Sequence, residues 1–168
     1  MGINPIHRIS GPCNSHISKE KFKGFVKAMR QFSLYVNQEY IFYGNYNLQS
    51  GYKAAENFMM LPDPPTAVVG ANDILALGGM KYFLQKKMHI PDDIAVIGFD
   101  NISLSSMYEP PLSTISLPIA LMGEEAVHLF LSMAENPCAN TMQVLLETRL
   151  IVRNSTCKTP DSVQPGDN

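Results

Sequence analysis

The sequence predicts an α/β fold, a parallel sheet flanked by helices, and three observations carry that prediction. Short apolar runs alternate regularly with amphipathic stretches of helical period. The runs end in clusters of Asn, Asp or Ser, the residues expected where a strand hands over to a helix. The composition is that of an ordinary globular domain, with 168 residues, 45% hydrophobic, 17% charged and a formal net charge of −2.

The first strand is placed at about His7 to Ser10, stopped by Gly11 and Pro12. From Ser18 to about Phe32, the residues Phe22, Phe25, Val26 and Met29 recur at helical spacing, and Ser18 is suited to cap the start. Tyr40 to Tyr43 is a β-favouring run that stops at Gly44 and gives way to Asn45-Tyr46-Asn47. A second helix follows from Gln49 to Met60, closed by Pro62, Pro64 and Pro65, which set an extended entry into the strand Ala67 to Gly70. Asn72-Asp73 then opens a helix from Ile74 to Gln85, with Asp73 as its cap or first-turn acid. Gly78-Gly79 inside that helix costs about 1 kcal/mol per glycine relative to alanine, which points to a very close approach, of backbone on backbone or of a second subunit.

Ile94 to Phe99 is the next buried parallel strand, ending at Asp100-Asn101. The regularity then breaks. Ser103 to Tyr108 is short, Pro110-Pro111 forces an extended segment, and Leu112 to Ser116 is a brief β-like run. The helix from Ile119 to about Ala134 is apolar around well over half its circumference, so it requires burial on more than one side. Gln143 to Val152 alternates as a final strand, and 158–168, rich in Pro, Asp and Gly, is expected to be disordered.

Several function classes lack support. No run approaches the roughly 18 apolar residues of a membrane span, and Met1 to Ser10 has no charged leader before an apolar core, so the expected compartment is the cytoplasm. Cys13, Cys138 and Cys157 are unpatterned, which suits reduced thiols. His7, His16, His89 and His128 lack metal-ligand spacing, so neither metal nor cofactor is expected. With 13 basic and 15 acidic residues there is no overall field to attract DNA, and the basic stretch Lys19, Lys21, Lys23, Lys27, Arg30 reads as the wet face of a helix. No glycine-rich phosphate loop or Gly-x-Ser-x-Gly elbow is present. Cys13 and His16 have no third residue to orient them, and Gly11 to His16 lacks the acidic pair of a phosphorelay receiver. No catalytic residue is assigned.

Binding is the better-supported class. In open parallel sheets, ligands meet the carboxyl ends of the strands, where loops and free helix N–H groups converge. Asn14, Ser15 and His16 follow the first strand, with Lys21 one turn into the helix. Asn45, Tyr46 and Asn47 follow the second strand, Asn72 and Asp73 the third, and Asp100 and Asn101 the fourth. Any one of these alone is a cap or turn residue; four clusters on one edge make a site. Amides and carboxylates beside an aromatic ring such as Tyr46 or Phe99 suit a small polar ligand with many hydroxyls or ring nitrogens.

Four strings resemble a known family. They run from Pro65 to Gly78 (PTAVVGANDILALG), Ile90 to Asn101 (IPDDIAVIGFDN), Pro111 to Ile115 (PLSTI) and Leu150 to Thr156 (LIVRNST). With Gly11-Pro12, Gly24-Phe25 and Ser50-Gly51-Tyr52 in the same order, the stretch from Ile6 to Thr156 is similar to the effector-binding domain of the lactose/galactose repressor (LacI/GalR) family of bacterial transcription regulators. The resemblance implies a periplasmic binding protein-like fold, a small polar effector such as a sugar, a homodimer, and operator DNA bound only through an N-terminal domain outside this chain.

Carried over by position, the resemblance puts the effector against Asn72 and Asp100, with Tyr46 as aromatic wall and Ser15, Ile17 and Lys21 lining the first loop. Lys21 departs from the family's usual arginine, replacing a two-pronged fork by a point charge. The dimer surface is implied at Asn47, Tyr52, Ala76, Gly79, Met80, Leu104 and Tyr108. Residues 1–157 form part of one effector-binding domain in this reading. Within it, 6–99 are the core of the C-terminal lobe, 113–134 belong to the N-terminal lobe, 143–152 are a returning strand, and 158–168 are a tail. The helix from Ile119 would then lack the sheet it covers and pack on another copy or be poorly ordered. Two other readings share parts of this pattern: a sugar-binding protein of a transporter, and a small α/β enzyme using Asp73 or Asp100 as acid or base.

Overall fold

The computed structural model describes residues 5–135 and 143–157. Strand and helix alternate as the periodicity predicts: β1 (Ile6–Ser10), α1 (His16–Gln31), a 3-10 turn (Gln38–Tyr40), β2 (Ile41–Tyr43), α2 (Leu48–Phe58), β3 (Ala67–Gly70) and α3 (Asp73–Gln85). There follow β4 (Ala95–Phe99), α4 (Ser103–Met107), β5 (Ser113–Ser116), α5 (Ile119–Glu135) and β6 (Arg149–Ile151). One sheet holds all six described strands in the order β2-β1-β3-β4-β5-β6, parallel except for β6, which runs antiparallel to β5.

Two features of β1 show how the layers are arranged. His7 stacks on Tyr40 (4.2 Å between centroids) and meets the edge of Phe58 in α2, whereas Arg8, its neighbour, lies over Phe25 in α1. Successive strand residues point to opposite faces, so α1 and α2 cover opposite sides of the sheet. The core lies on the α2–α3 side: Ile9, Phe58, Val68, Leu75, Phe83 and Val96 are buried together there. Burying each such side chain contributes about 1.5–3 kcal/mol.

The close approach foreshadowed by Gly78-Gly79 is between helices of the same chain. A Cβ on Gly78 would overlap the carbonyl oxygen of Leu48, and one on Gly51 would overlap that of Leu75, so α2 and α3 cross with their backbones in contact. Gly79 faces Ile9 of β1. This corrects part of the expected dimer surface. Ala76 and Met80 are 0% exposed and Gly79 is buried, all enclosed by α2 and the sheet within one chain, so they have no surface left for a second subunit.

Three further expectations are corrected. Ser15, not Ser18, caps α1, its Oγ accepting from the Ser18 N–H at 3.4 Å. Ser18 is instead buried with its hydroxyl 3.2 Å from that of Ser10, and this contact with β1 starts the helix two residues earlier. The segment assigned to the other lobe from 113 onward begins inside this sheet, because Ile97, Gly98 and Phe99 pair with Ser113, Thr114 and Ile115. The returning strand is only Arg149–Ile151, which pairs with Ser116, Ile115 and Thr114. The expected tail (158–168) and Cys138 lie outside the described residues; Cys13 and Cys157 are exposed.

α5 buries none of its residues, and Ile119, Val127, Phe130 and Met133 are each more than half exposed. No helix among the described residues is long and apolar enough to cross a membrane.

His7 gives the fold an acid limit. Both ring nitrogens are buried without a partner among the described residues, and burial lowers the pKa from 6.5 to about 4. Between those values the unfolded chain binds a proton that the folded chain excludes, so stability is intact above the unfolded value and falls by about 1.4 kcal/mol per pH unit on acidification. Denaturant midpoints measured from neutral pH down to about 4 should report a loss of about 3 kcal/mol from this group. A His7→Phe variant should lose that share of the pH dependence; parallel curves for the two proteins would exonerate His7.

Candidate functional site at the carboxyl edge of the sheet

Parallel strands deliver their following loops to one edge, and the polar clusters sit there. Ser15, Ile17 and Lys21 follow β1, Tyr46 follows β2, Asn72 follows β3 and Asp100 follows β4. Three of the flanking polar residues are committed to helix starts. Ser15 caps α1, Asn47 caps α2 through a 2.8 Å bond from the Ser50 N–H, and Asn72 caps α3 through a 2.9 Å bond from the Leu75 N–H. Each satisfies a backbone donor that the helix itself leaves unpaired.

Lys21 joins three elements. Its ammonium, on the second turn of α1, donates to the Ala71 carbonyl at 3.0 Å and to Asp100 Oδ1 at 3.1 Å, and lies 3.9 Å from the centre of the Phe99 ring. The side chains of Lys21 and Asp100 are 18% and 33% exposed, which leaves the pair reachable from solvent yet partly desolvated. An ammonium with three donors over an aromatic face, beside a carboxylate acceptor, offers a hydroxylated ligand both hydrogen-bonding senses and a flat wall. Lysine in place of arginine still bridges β3 and β4 here, but through a point charge rather than a planar fork.

The loop bearing Asp100 is held in an unusual backbone state. Asp100 has φ 106° and Asn101 φ 52°, the left-handed region that Asn and Asp tolerate better than other non-glycine residues. Hydrogen bonds fix it on all sides. The Asp100 N–H donates to the Ile115 carbonyl at 2.9 Å, and the Asn101 N–H to Thr114 Oγ1 at 3.2 Å. Arg153 completes the clamp, donating to Asn101 Oδ1 at 2.8 Å, to the Leu112 carbonyl at 2.6 Å and to Ser105 Oγ at 3.1 Å. Sequence reading assigned Arg153 no role, because its partners lie 41 to 52 residues away and no local pattern announces them.

Tyr46 and Ile17 form the apolar rim. The Tyr46 ring lies flush on Gly11, where a Cβ would overlap it, and is 39% exposed; Ile17 is 63% exposed. Asp73 is excluded from the rim. It is fully buried, its Oδ1 accepting from the Thr114 hydroxyl and its Oδ2 from the Ile102 N–H at 2.9 Å. Burial pushes its pKa up, opposed by those two hydrogen bonds. With both oxygens engaged and no exposed surface, it ties α3 to β5 and cannot exchange protons with a ligand.

Of the remaining residues in the expected dimer surface, Asn47 and Leu104 are exposed. Tyr52 and Tyr108 are half-buried against the core, with the Tyr52 hydroxyl donating to Gln85 Oε1 at 2.9 Å. Among the described residues, no group of three His, Cys, Asp or Glu is placed to hold a metal ion.

Comparisons with known proteins agree with this architecture. The model of the periplasmic binding protein-like domain matches residues 2–156. The HTH-type transcriptional repressor CytR of Escherichia coli K12 is 34% identical over 160 residues, covering 95% of this chain and 47% of the repressor. The chain thus spans about half the length of the curated relatives it matches. Among solved structures, the transcriptional regulator CelR–cellobiose complex superposes with a TM-score of 0.85 at 27% identity, covering 92% of this chain and 47% of that one. A dimeric Lac repressor superposes with a TM-score of 0.84 at 28% identity, covering 92% and 56%. The chain belongs to the periplasmic binding protein-like domain family, in the form of that domain found in LacI-family transcriptional regulators.

Proposed function

We propose that this chain senses a small polar effector, a sugar or similar polyol, and associates with a second copy of itself as part of a cytoplasmic bacterial transcription regulator. The observation that carries this reading is Lys21, paired with Asp100 and set over the Phe99 ring at the carboxyl edge, where four loops converge. Asp100 accepts ligand hydroxyls, Lys21 donates to them, Asn72 supplies its amide nitrogen, Tyr46 is the wall, and Ser15 and Ile17 border the first loop. Asn47, Tyr52, Leu104 and Tyr108 contribute to the surface between copies. Operator DNA is contacted by a domain outside these residues, and the output is a shift between two dimer geometries rather than a chemical reaction. A relative that is a transcriptional repressor, and a similar transcriptional regulator solved with cellobiose, support this over an enzyme.

In this reading the residues named line one wall of the effector cleft. Calorimetric titration with a panel of mono- and disaccharides should therefore give dissociation constants near the millimolar range, about −4 kcal/mol, for the preferred sugar. Asp100→Ala should lower that affinity by about tenfold or more, because Lys21 then loses its partner and the ligand its acceptor. Submicromolar affinity, an operator-specific gel shift by this chain, or sugar binding indifferent to Asp100→Ala would contradict the reading.

A further inference from the structure

The flank of α1 carries a second surface that the effector site does not use. Phe22, Lys23, Val26, Lys27, Arg30 and Gln31 line a groove of about 580 Å³. Their spacing places them along one side of the helix over about 13 Å. Phe22 and Val26 form an apolar floor toward the sheet edge, where Phe22 meets Tyr43 of β2 edge-on. The outer wall is cationic. Lys23 is paired with Glu20 at 2.6 Å, the single acidic residue of α1, while neither Lys27 nor Arg30 meets an acidic side chain among the described residues. The whole chain is net negative, so this face opposes the charge of the rest. It also lies across the sheet from α2, whose start borders the proposed surface between copies, and is left open when two copies associate there.

We infer that this groove docks an acidic, amphipathic helix of a partner protein. An apolar floor flanked by cations at positions i, i+4 and i+7 accepts about two to three turns of helix, with apolar side chains down and carboxylates against Lys27 and Arg30. The aromatic floor disfavours a purely electrostatic ligand, since solvated charge gains nothing from Phe22 and Val26.

The test is fluorescence anisotropy of the 168-residue chain with a labelled helix-forming probe of about 18 residues, bearing leucine on one face and glutamate on its borders. Saturable binding is expected, weakened by about tenfold in a Lys27→Glu/Arg30→Glu variant and by several-fold in Val26→Ser, each with an unchanged circular dichroism spectrum. A probe with serine for leucine should bind about tenfold more weakly than the leucine probe. The inference is overturned if the serine probe binds equally, if a lysine-for-glutamate probe competes, if the charge reversal is silent, or if a single-stranded oligonucleotide binds more tightly than the peptide.

Discussion

Substituting valine for Gly78 should abolish the folded state. The α2–α3 crossing puts the Leu48 carbonyl where the first side-chain carbon would stand, and on the other side Gly51 meets the Leu75 carbonyl in the same way. Neither contact is with the flexible end of a side chain; both are backbone on backbone, so relief requires separating two helices. That separation would open the cluster of Ala54, Ala55, Leu75 and Met80, all 0% exposed. Overpacking at a yielding core site costs about 1–3 kcal/mol, and a rigid site costs more, a large share of the 5–15 kcal/mol typical of a whole domain. Gly78→Val should therefore appear in the insoluble fraction or lack a cooperative thermal transition. Gly24→Ala, where nothing lies within 4 Å of the added carbon, should leave the melting temperature unchanged or raise it slightly. A well-folded Gly78→Val protein would mean that the helices do not cross as closely as described.

Asp73→Ala is expected to have the second-largest effect. The carboxylate is fully buried and accepts from the Thr114 hydroxyl and the Ile102 N–H, so its removal strands a hydroxyl of β5 and the backbone donor that starts the α4 segment. Hydrogen bonds to charged groups contribute about 1.5–3 kcal/mol each, offset in part by release from burying a charge, and a net loss of about 3 kcal/mol follows. In a domain of this size that lowers Tm by about 6–12 °C. Asn retains one acceptor and should recover part of the loss. If Asp73→Ala melts like the parent, the carboxylate is not the tie between α3 and β5.

The same residues show how far the sequence could be read. β3 and α3 were placed almost to the residue, because three prolines fix the entry and Asn72 caps the exit, both of them local signals. At α1 two serines compete for the cap within three positions, and the choice rests on Ser18 packing against Ser10 of β1, which no local pattern contains. Gly78-Gly79 announced a close neighbour but not its identity; that required knowing where α2 lies. The candidate site divides along the same line. Strand alternation brought Lys21, Tyr46, Asn72 and Asp100 to one edge, yet the bond between Lys21 and Asp100 joins residues 79 apart in sequence. The clamp of Arg153 on Asn101 was illegible for the same reason.

The claim that the carboxyl edge holds the effector is tested most directly by amide chemical-shift mapping of the isotopically labelled chain during titration with the sugar preferred in calorimetry. Shifts that saturate together at Tyr46, Asn72 and Asp100, and at Ala71 beneath the Lys21 ammonium, are the predicted result. Saturating shifts confined to the outer faces of α2 and α3, with the carboxyl-edge loops silent, would contradict it.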